Sequence, residues 1–178
     1  FTDEAAAFID RHAREPFFLH LAYNAPHTPL QAPADDLAVF ADRSELTRGV
    51  RQLYAMIRRM DTGLARVLEA LKRNGLEENT IVVFTSDNGP QFSGEGENNI
   101  ARFNCGLRGS KCHVYEGGIR VPLLVRWPAG LAPRSDDTTF LHGVDLFPTI
   151  LSALGVKHTP APGLPLDGRD AWAALAGA

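Results

Sequence analysis

A long apolar stripe in the first half of the sequence restricts the chain to folds built around one extended helix. Its apolar residues recur at steps of three and four, which places side chains on one face of an α-helix. They are Leu46, Val50, Leu53, Ile57, Met60, Leu64, Val67 and Leu71. Asn74 and Gly75 follow the stripe and are typical of a left-handed stop at a helix C-terminus. The pattern therefore predicts one long helix with a single buried face.

Apolar runs and helical patterns alternate along the rest of the chain. Strands are predicted at residues 17–23, 80–87 and 121–127. Further helices are predicted at residues 2–14, 144–154 and 171–175, the first capped by Thr2 and the second with Pro148 in its first turn. This alternation predicts an α/β sheet with some parallel pairing, in which ligands gather beyond the carboxyl ends of the strands.

Composition excludes several classes of function. The chain has 178 residues, enough for one domain with a sizeable core, and its formal charge of -3 argues against a nucleic-acid or anionic-membrane partner. No apolar run approaches the roughly 20 residues of a membrane span. The chain begins at Phe1 and shows no signal-peptide pattern, so we interpret it as an internal piece of a longer protein. Cys105 and Cys112 are either two free thiols or one disulfide, and their spacing leaves both open.

The second predicted strand runs into the sequence TSDNGP, residues 85–90. Asp-Asn-Gly builds turns readily, so a purely structural interpretation is open. The alternative is that Asp87 and Asn88 present a carboxylate and an amide oxygen, hard donors that suit Ca²⁺ or Mg²⁺. A calcium ion takes about 6–8 oxygens, so this pair alone does not make a site.

A glycine-rich segment, residues 105–122, is a second candidate region. Its sequence, CGLRGSKCHVYEGGIRVP, combines flexible backbone with Lys111, a mobile cation that suits an anionic ligand. The alternative is a surface loop with solvated cations, and the spacing does not match a phosphate-binding P-loop. His113 lies two residues after Lys111 and either faces the same site or packs the loop.

His27 is the third candidate, because Pro26 and Pro29 restrict the backbone on both sides of its imidazole. An isolated histidine is most often structural or simply exposed, so the proline flanks are the reason for singling it out. His20 falls inside the first predicted strand, where we expect it to pack in the core.

Four stretches taken in order resemble the type I, formylglycine-dependent sulfatases of the alkaline-phosphatase-like superfamily. They are PFFLHLAYNAPHTPLQAP, LEENTIVVFTSDNGP, LRGSKCHVYEGGIRVPLLVRWPAG and VDLFPTILSALGV, and they extend across nearly the whole chain. The resemblance implies a three-layer α/β/α sandwich with a mixed, largely parallel sheet, truncated here at its N-terminal side. It further implies that residues 1–178 form part of one sulfatase catalytic domain.

The resemblance also implies roles for individual residues. Asp87 and Asn88 match two ligands of the family's divalent cation, usually calcium, with magnesium as the alternative. Lys111 matches the lysine that contacts the sulfate group. His27 matches the histidine beside the sulfate and the leaving-group oxygen, and His113 is added as a candidate substrate contact. On this basis we favour the ligand interpretation of residues 85–90 over the simple turn.

The family's nucleophile motif, C/S-x-P-S-R, does not occur in these 178 residues, and neither does the upstream Asp-Asp ligand pair. We therefore expect the formylglycine in a preceding segment and expect this chain alone to be inactive. Cys112 and His113 stand where the family commonly has small residues, which leaves the shape of the pocket open.

The function expected from these observations is metal-assisted hydrolysis of a sulfate ester, on a sulfated small molecule or glycan. The alternatives are a phosphoryl or phosphonyl hydrolase of the same superfamily, or a non-catalytic domain that kept the fold and binds a partner. A truncated sheet is also expected to expose a strand edge and to favour self-association. The sequence assigns no compartment, although a periplasmic or secreted parent protein is consistent with the resemblance.

Overall fold

The computed structural model describes residues 1–135 and 139–177. The α-helices are α1 (Thr2–Arg11), α2 (Ala34–Ala38), α3 (Arg48–Arg73), α4 (Glu116–Ile119), α5 (Leu146–Ala153) and α6 (Trp172–Ala176). Short 3-10 helices span Gly96–Asn98 and Gly143–Asp145, and the strands are β1 (Val82–Thr85) and β2 (Leu123–Arg126). No helix in the described ranges is long and apolar enough to cross a membrane.

Helix α3 confirms the prediction drawn from the apolar stripe. The Thr47 hydroxyl caps it by accepting a hydrogen bond from the Val50 amide at 3.2 Å. The helix ends at Asn74, and Gly75 adopts φ of 68°, a left-handed conformation that a side chain disfavours. Its stripe is buried at Val50, Leu53, Val67 and Leu71.

The main core lies between α1 and α3. It contains the buried residues Ala5, Ile9, Val67, Ala70 and Leu71. Full burial of a side chain such as Ile9, Val67 or Leu71 contributes about 1.5–3 kcal/mol to the free energy of unfolding, so this cluster is a principal source of stability. Ion pairs bracket it, because Arg73 binds Asp10 at 2.7 Å and Arg66 binds Asp3.

Helix α1 is shorter than predicted and is capped differently. It ends at Arg11 instead of reaching residue 14. Thr2 is not the cap, because it lies within the first turn and its hydroxyl is 2.8 Å from the Tyr23 hydroxyl. The prediction of Thr2 as the cap was therefore wrong by one position, since Phe1 precedes the helix.

The two strands pair in antiparallel register, with Val82 opposite Arg126 and Thr85 opposite Leu123. The Thr85 hydroxyl also donates to the Pro122 carbonyl at 2.9 Å. The chain leaves β1 and returns to β2 at the same end, and such a connection produces an antiparallel pair. The parallel pairing expected from the sequence is thus not formed between the strands in the described part of the chain.

Residues 17–23 correct a second expectation. The segment is not a strand, because no backbone hydrogen bond joins it to another described residue. Its side chains still alternate: Phe17, Leu19 and Leu21 pack against the α1–α3 core, whereas Phe18 is 80% exposed. His20 lies on the outer face and is exposed, so its expected place in the core was wrong. The period of two was correct, but the sequence did not tell which face would be covered.

Helix α2 was not predicted, and it is fastened to α3 by a buried carboxylate. Asp36 is 2% exposed and binds both Arg58 and Arg59, the latter at 2.6 Å. Removing a partner from a buried charge is costly, so this contact sets the position of α2.

The C-terminal helices confirm the prediction, with Pro148 in the first turn of α5. The amides of Arg169 and His142 each donate to Asp145 at 2.8 Å and hold the pKa of its carboxyl below the usual value. This carboxyl therefore ties the start of α5 to the segment before α6.

Candidate active site

The turn at residues 86–90, here called the Asp87 turn, leaves the carboxyl end of β1. The Asp87 side chain is exposed. The Asn88 side-chain amide donates to the Gly89 carbonyl at 2.9 Å, which leaves its own oxygen available to a ligand. The turn therefore presents two hard oxygen donors, as a site for a divalent cation requires.

Residues 105–118, here called the Lys111 loop, are joined to the Asp87 turn by two backbone hydrogen bonds. The Lys111 amide donates to the Pro90 carbonyl at 2.9 Å, and the Gly89 amide donates to the Gly118 carbonyl at 2.8 Å. Lys111 is half-buried and forms no ion pair with a described residue. The structure thus brings the predicted lysine and the predicted metal ligands into neighbouring segments.

Glycines make this approach possible. A Cβ atom at Gly89 would lie 2.0 Å from the Gly117 carbonyl oxygen, and one at Gly118 would lie 2.0 Å from the His113 carbonyl oxygen. Real Cβ atoms do not come this close to another atom, so a side chain at Gly89 would push the two segments apart and one at Gly118 would distort the Lys111 loop itself. The sequence pattern indicated that these glycines provide flexibility, whereas in the structure they allow close backbone contact.

A half-buried arginine that the sequence analysis missed supports the chain beyond the Asp87 turn. Arg102 donates to the carbonyls of Gln91 at 3.0 Å and Ile100 at 3.1 Å. Burial lowers the pKa of its guanidinium, which stays charged at neutral pH. No local sequence pattern identifies such a contact, because the guanidinium acts on a carbonyl 11 residues away.

His113 is held within the Lys111 loop by Ser110 and Tyr115. Both the amide and the hydroxyl of Ser110 lie 3.3 Å from Nδ1 of His113. The rings of His113 and Tyr115 stack with centroids 6.4 Å apart, and Arg108 covers the Tyr115 ring at 3.8 Å. His113 is exposed, so its imidazole is oriented by the loop but open to solvent.

The two cysteines are free and exposed, so the disulfide alternative is not formed. Both have left-handed backbones, with φ of 62° at Cys105 and 73° at Cys112. A side chain rarely adopts this conformation, and such residues cluster at functional sites. The Lys111 loop therefore holds a strained residue next to its cation.

The third candidate, His27, lies in a separate segment that is flanked by prolines. It sits between two cis peptides, Ala25–Pro26 and Thr28–Pro29, and its side chain is exposed. Its Nδ1 donates to the Thr28 carbonyl at 2.8 Å, so Nε2 is the nitrogen that can exchange a proton with a ligand. No hydrogen bond among the described residues joins His27 to the Asp87 turn or to the Lys111 loop.

A cavity of about 220 Å³ borders the same region without containing the predicted site. Its lining comes from α1, α3 and residues 23–25, which precede His27, and includes Tyr23, Arg59 and Arg66. None of the five predicted site residues lines it. The catalytic hypothesis therefore depends on the loops and not on this cavity.

Asp87 and Asn88 carry the type of donor atom that a divalent cation prefers, but they supply fewer ligands than such an ion requires. No group of three or more His, Cys, Asp and Glu side chains in the described parts of the chain could hold a metal ion. Asp87 and Asn88 supply two oxygens of the type that Ca²⁺ and Mg²⁺ prefer. They are therefore a partial ligand set for a hard cation.

The chain is similar in sequence to a family of known proteins. The family model described as Sulfatase matches residues 1–156. An uncharacterized sulfatase of Escherichia coli K12, YdeN, is 37% identical over 161 residues, which are 88% of this chain and 27% of YdeN. The steryl-sulfatase of Mus musculus is 37% identical over 179 aligned positions, covering 98% of this chain and 27% of that enzyme.

A solved structure shows the same likeness in three dimensions. Ps i-CgsB, crystallised in complex with k-i-k-neocarrahexaose, superposes with a TM-score of 0.84 at 36% identity. The match covers 97% of this chain and 37% of Ps i-CgsB, so the chain spans only part of the length of its relatives. Because the family model covers residues 1–156 and relatives 37% identical match most of the chain, the chain belongs to the sulfatase family.

Proposed function

We propose that this chain is part of an enzyme that hydrolyses sulfate esters with the help of a divalent cation. Asp87 and Asn88 supply two of the oxygen ligands for Ca²⁺, with Mg²⁺ as the alternative ion. The observation that carries the proposal is the hydrogen bond from the Lys111 amide to the Pro90 carbonyl, 2.9 Å long. It keeps a cationic side chain next to the turn that bears both oxygen donors.

The residues of the chain divide the work on an anionic substrate. The Lys111 ammonium binds a sulfate oxygen, and such preorganised charge is most effective where water is excluded. His27 uses Nε2 to hold or deliver a proton at the leaving-group oxygen, while its Nδ1 stays on the Thr28 carbonyl. A cation held by Asp87 and Asn88 would neutralise charge that develops on the sulfate group. The nucleophile, a formylglycine in the family, is expected in a segment outside these 178 residues.

The substrate is a sulfated small molecule or glycan, contacted by Lys111, His27 and His113. A glycan is supported by the likeness to Ps i-CgsB, which was crystallised with k-i-k-neocarrahexaose. Phosphoryl or phosphonyl transfer is the second candidate, because a cation and a lysine suit either anion. Parallel assays with para-nitrophenyl sulfate, para-nitrophenyl phosphate and a phenyl phosphonate ester separate these reactions.

The proposed setting is a three-layer α/β/α sandwich with a largely parallel sheet, of which residues 1–178 form one part. Residues 17–23 support this, since they are extended yet have no backbone partner in the part of the chain described. An unpaired extended segment can form backbone hydrogen bonds with another strand. In the isolated chain, a second copy of the same chain can supply that strand. Sedimentation at high concentration tests this, and a strictly monomeric chain would contradict self-association.

The decisive experiment uses the complete gene product and follows sulfate release from para-nitrophenyl sulfate. Lys111→Ala is expected to lower kcat/KM by roughly 10²–10³, the cost of removing one preorganised charge contact. Lys72→Ala, at the exposed end of α3, is the matched control and leaves the rate unchanged. Retention of most of the activity by Lys111→Ala would refute the proposed role of Lys111. Hydrolysis by the isolated 178-residue chain would refute the expectation that the nucleophile lies outside it.

A further inference from the structure

Ser110 makes an unusual double contact with one nitrogen of His113. It is only 9% exposed, and its amide nitrogen and its hydroxyl oxygen each lie 3.3 Å from His113 Nδ1. A hydroxyl can donate or accept, so that contact alone does not orient the proton. The backbone amide, in contrast, can only donate, and it therefore requires an unprotonated Nδ1.

This requirement selects one tautomer of the neutral imidazole. With Nδ1 accepting from Ser110, the ring proton of neutral His113 resides on Nε2. Nε2 has no hydrogen-bond partner among residues 1–135 and 139–177, and the side chain is exposed. His113 therefore presents a free N–H donor from the loop that also carries Lys111.

The ring is held from its face as well as from Nδ1. Tyr115 stacks on it with an interplanar angle of 25°, and the Arg108 guanidinium donates to the Tyr115 hydroxyl at 2.9 Å. Gly109 lies directly beneath both, since a Cβ atom there would be 3.2 Å from the His113 Cβ and 3.1 Å from the Tyr115 Cβ. The imidazole thus has two independent restraints on its orientation.

We propose that Ser110 is a positioning residue that fixes His113 as an Nε2–H donor, for a hydrogen bond to an oxygen of the substrate beside Lys111. The inference rests on the proposed function for the nature of that substrate. The tautomer of His113 is a property of the loop itself and does not depend on turnover. Ser110 acts through His113 and makes no contact with the reacting atoms.

Nitrogen NMR on the labelled 178-residue chain tests the geometry without any activity. We expect long-range proton–nitrogen correlations to place the proton of neutral His113 on Nε2, and a scalar coupling through the hydrogen bond between the Ser110 amide and Nδ1. Ser110→Pro removes the backbone amide and is expected to mix the tautomers, whereas Ser110→Ala keeps the amide and preserves the Nε2–H form. A proton on Nδ1 in the unsubstituted chain would overturn the proposal.

Kinetics on the complete gene product test whether the donor reaches the substrate. Ser110→Pro and His113→Ala are each expected to raise KM for para-nitrophenyl sulfate roughly three- to tenfold, the effect of about one hydrogen bond, whereas Ser110→Ala keeps the amide and leaves KM nearly unchanged. Because Ser110 acts through His113, Ser110→Pro adds nothing in the His113→Ala background. Ser152→Ala, which removes a hydroxyl that bonds Asp170, is the control and leaves KM unchanged.

The two experiments distinguish the possible failures. An inactive gene product with the Nε2–H tautomer intact refutes the proposed function and leaves the positioning by Ser110 standing. Full additivity of Ser110→Pro and His113→Ala, or an unchanged KM in Ser110→Pro, refutes the action of Ser110 through His113 while the sulfatase activity stands.

Discussion

The α1–α3 core and the pair of loops that form the candidate site are held together by different kinds of contact. In the core, side chains such as Ile9 and Leu71 interdigitate and ion pairs close the edges. Between the Asp87 turn and the Lys111 loop, the contacts are backbone to backbone, at Gly89, Gly117 and Gly118.

The core contacts therefore determine the stability of the chain, whereas the loop contacts determine the position of the site residues. Truncating a core side chain lowers the free energy of unfolding, and the loss grows with the volume of the cavity that is left. Such a substitution therefore unfolds the chain before it displaces the site. The glycine contacts bury little apolar surface, but they fix where Asp87 and Lys111 lie relative to each other. A substitution in the core should therefore be read out by unfolding, and one in the loops by local opening or by activity.

Leu71→Ala is expected to have the largest effect on stability. Leu71 is 3% exposed in the core, and its truncation should lower the free energy of unfolding by about 2–5 kcal/mol. Chemical denaturation followed by circular dichroism measures this. Leu154→Ala, at a position 56% exposed, is the control and is expected to cost less than about 0.5 kcal/mol.

Gly89→Ala should break the contact between the two loops. Its new Cβ cannot sit 2.0 Å from the Gly117 oxygen, so the loops must separate, at a cost of about 1–3 kcal/mol. We expect hydrogen exchange to accelerate at the Gly89 and Lys111 amides while the amides of α3 remain protected.

Gly143→Ala is the matched control for this substitution. A Cβ atom at Gly143 has no atom within 4 Å, so its exchange pattern should match that of the unsubstituted chain. Unchanged protection at both loop amides in Gly89→Ala would show that the loops are not joined as the structure has them.

Thr47→Ala should have the smallest of the three effects. It removes the cap on α3, where the Thr47 hydroxyl accepts from the Val50 amide, and also the hydrogen bond that this hydroxyl donates to the Asn99 carbonyl; the two should cost about 1–2 kcal/mol. Thr62→Ala, which loses a hydroxyl that only bonds the Arg58 carbonyl within the same helix, is the control. Because neither contact of the Thr47 hydroxyl involves the Asp87 turn or the Lys111 loop, exchange at the Lys111 amide should not change; acceleration there would weaken the separation between the two regions.

Local features of the structure were predictable from the sequence, but the contacts of those features in the folded chain were not. Helix α3 was predicted together with its stop, because periodicity and the Asn74-Gly75 signal act within a few residues. The alternation of residues 17–23 was recognised, but His20 was assigned to the wrong face, and the segment has no backbone partner among the described residues. Pairing depends on segments distant in sequence, and no local pattern reports it.

The candidate site divides in the same way. Residue types and spacing marked Asp87, Asn88 and Lys111 as candidates, and their chemistry follows from the side chains alone. The hydrogen bond from Lys111 to Pro90 spans 21 residues, and Ser110 was not singled out because its role depends on where the His113 ring lies. The amino-acid order thus dictates which helices form and which donors exist, since those properties are local. Long-range backbone contacts, which exist only once the chain has folded, decide which of these donors lie close together. Contacts formed in the folded loop also decide which nitrogen of His113 carries the exposed proton.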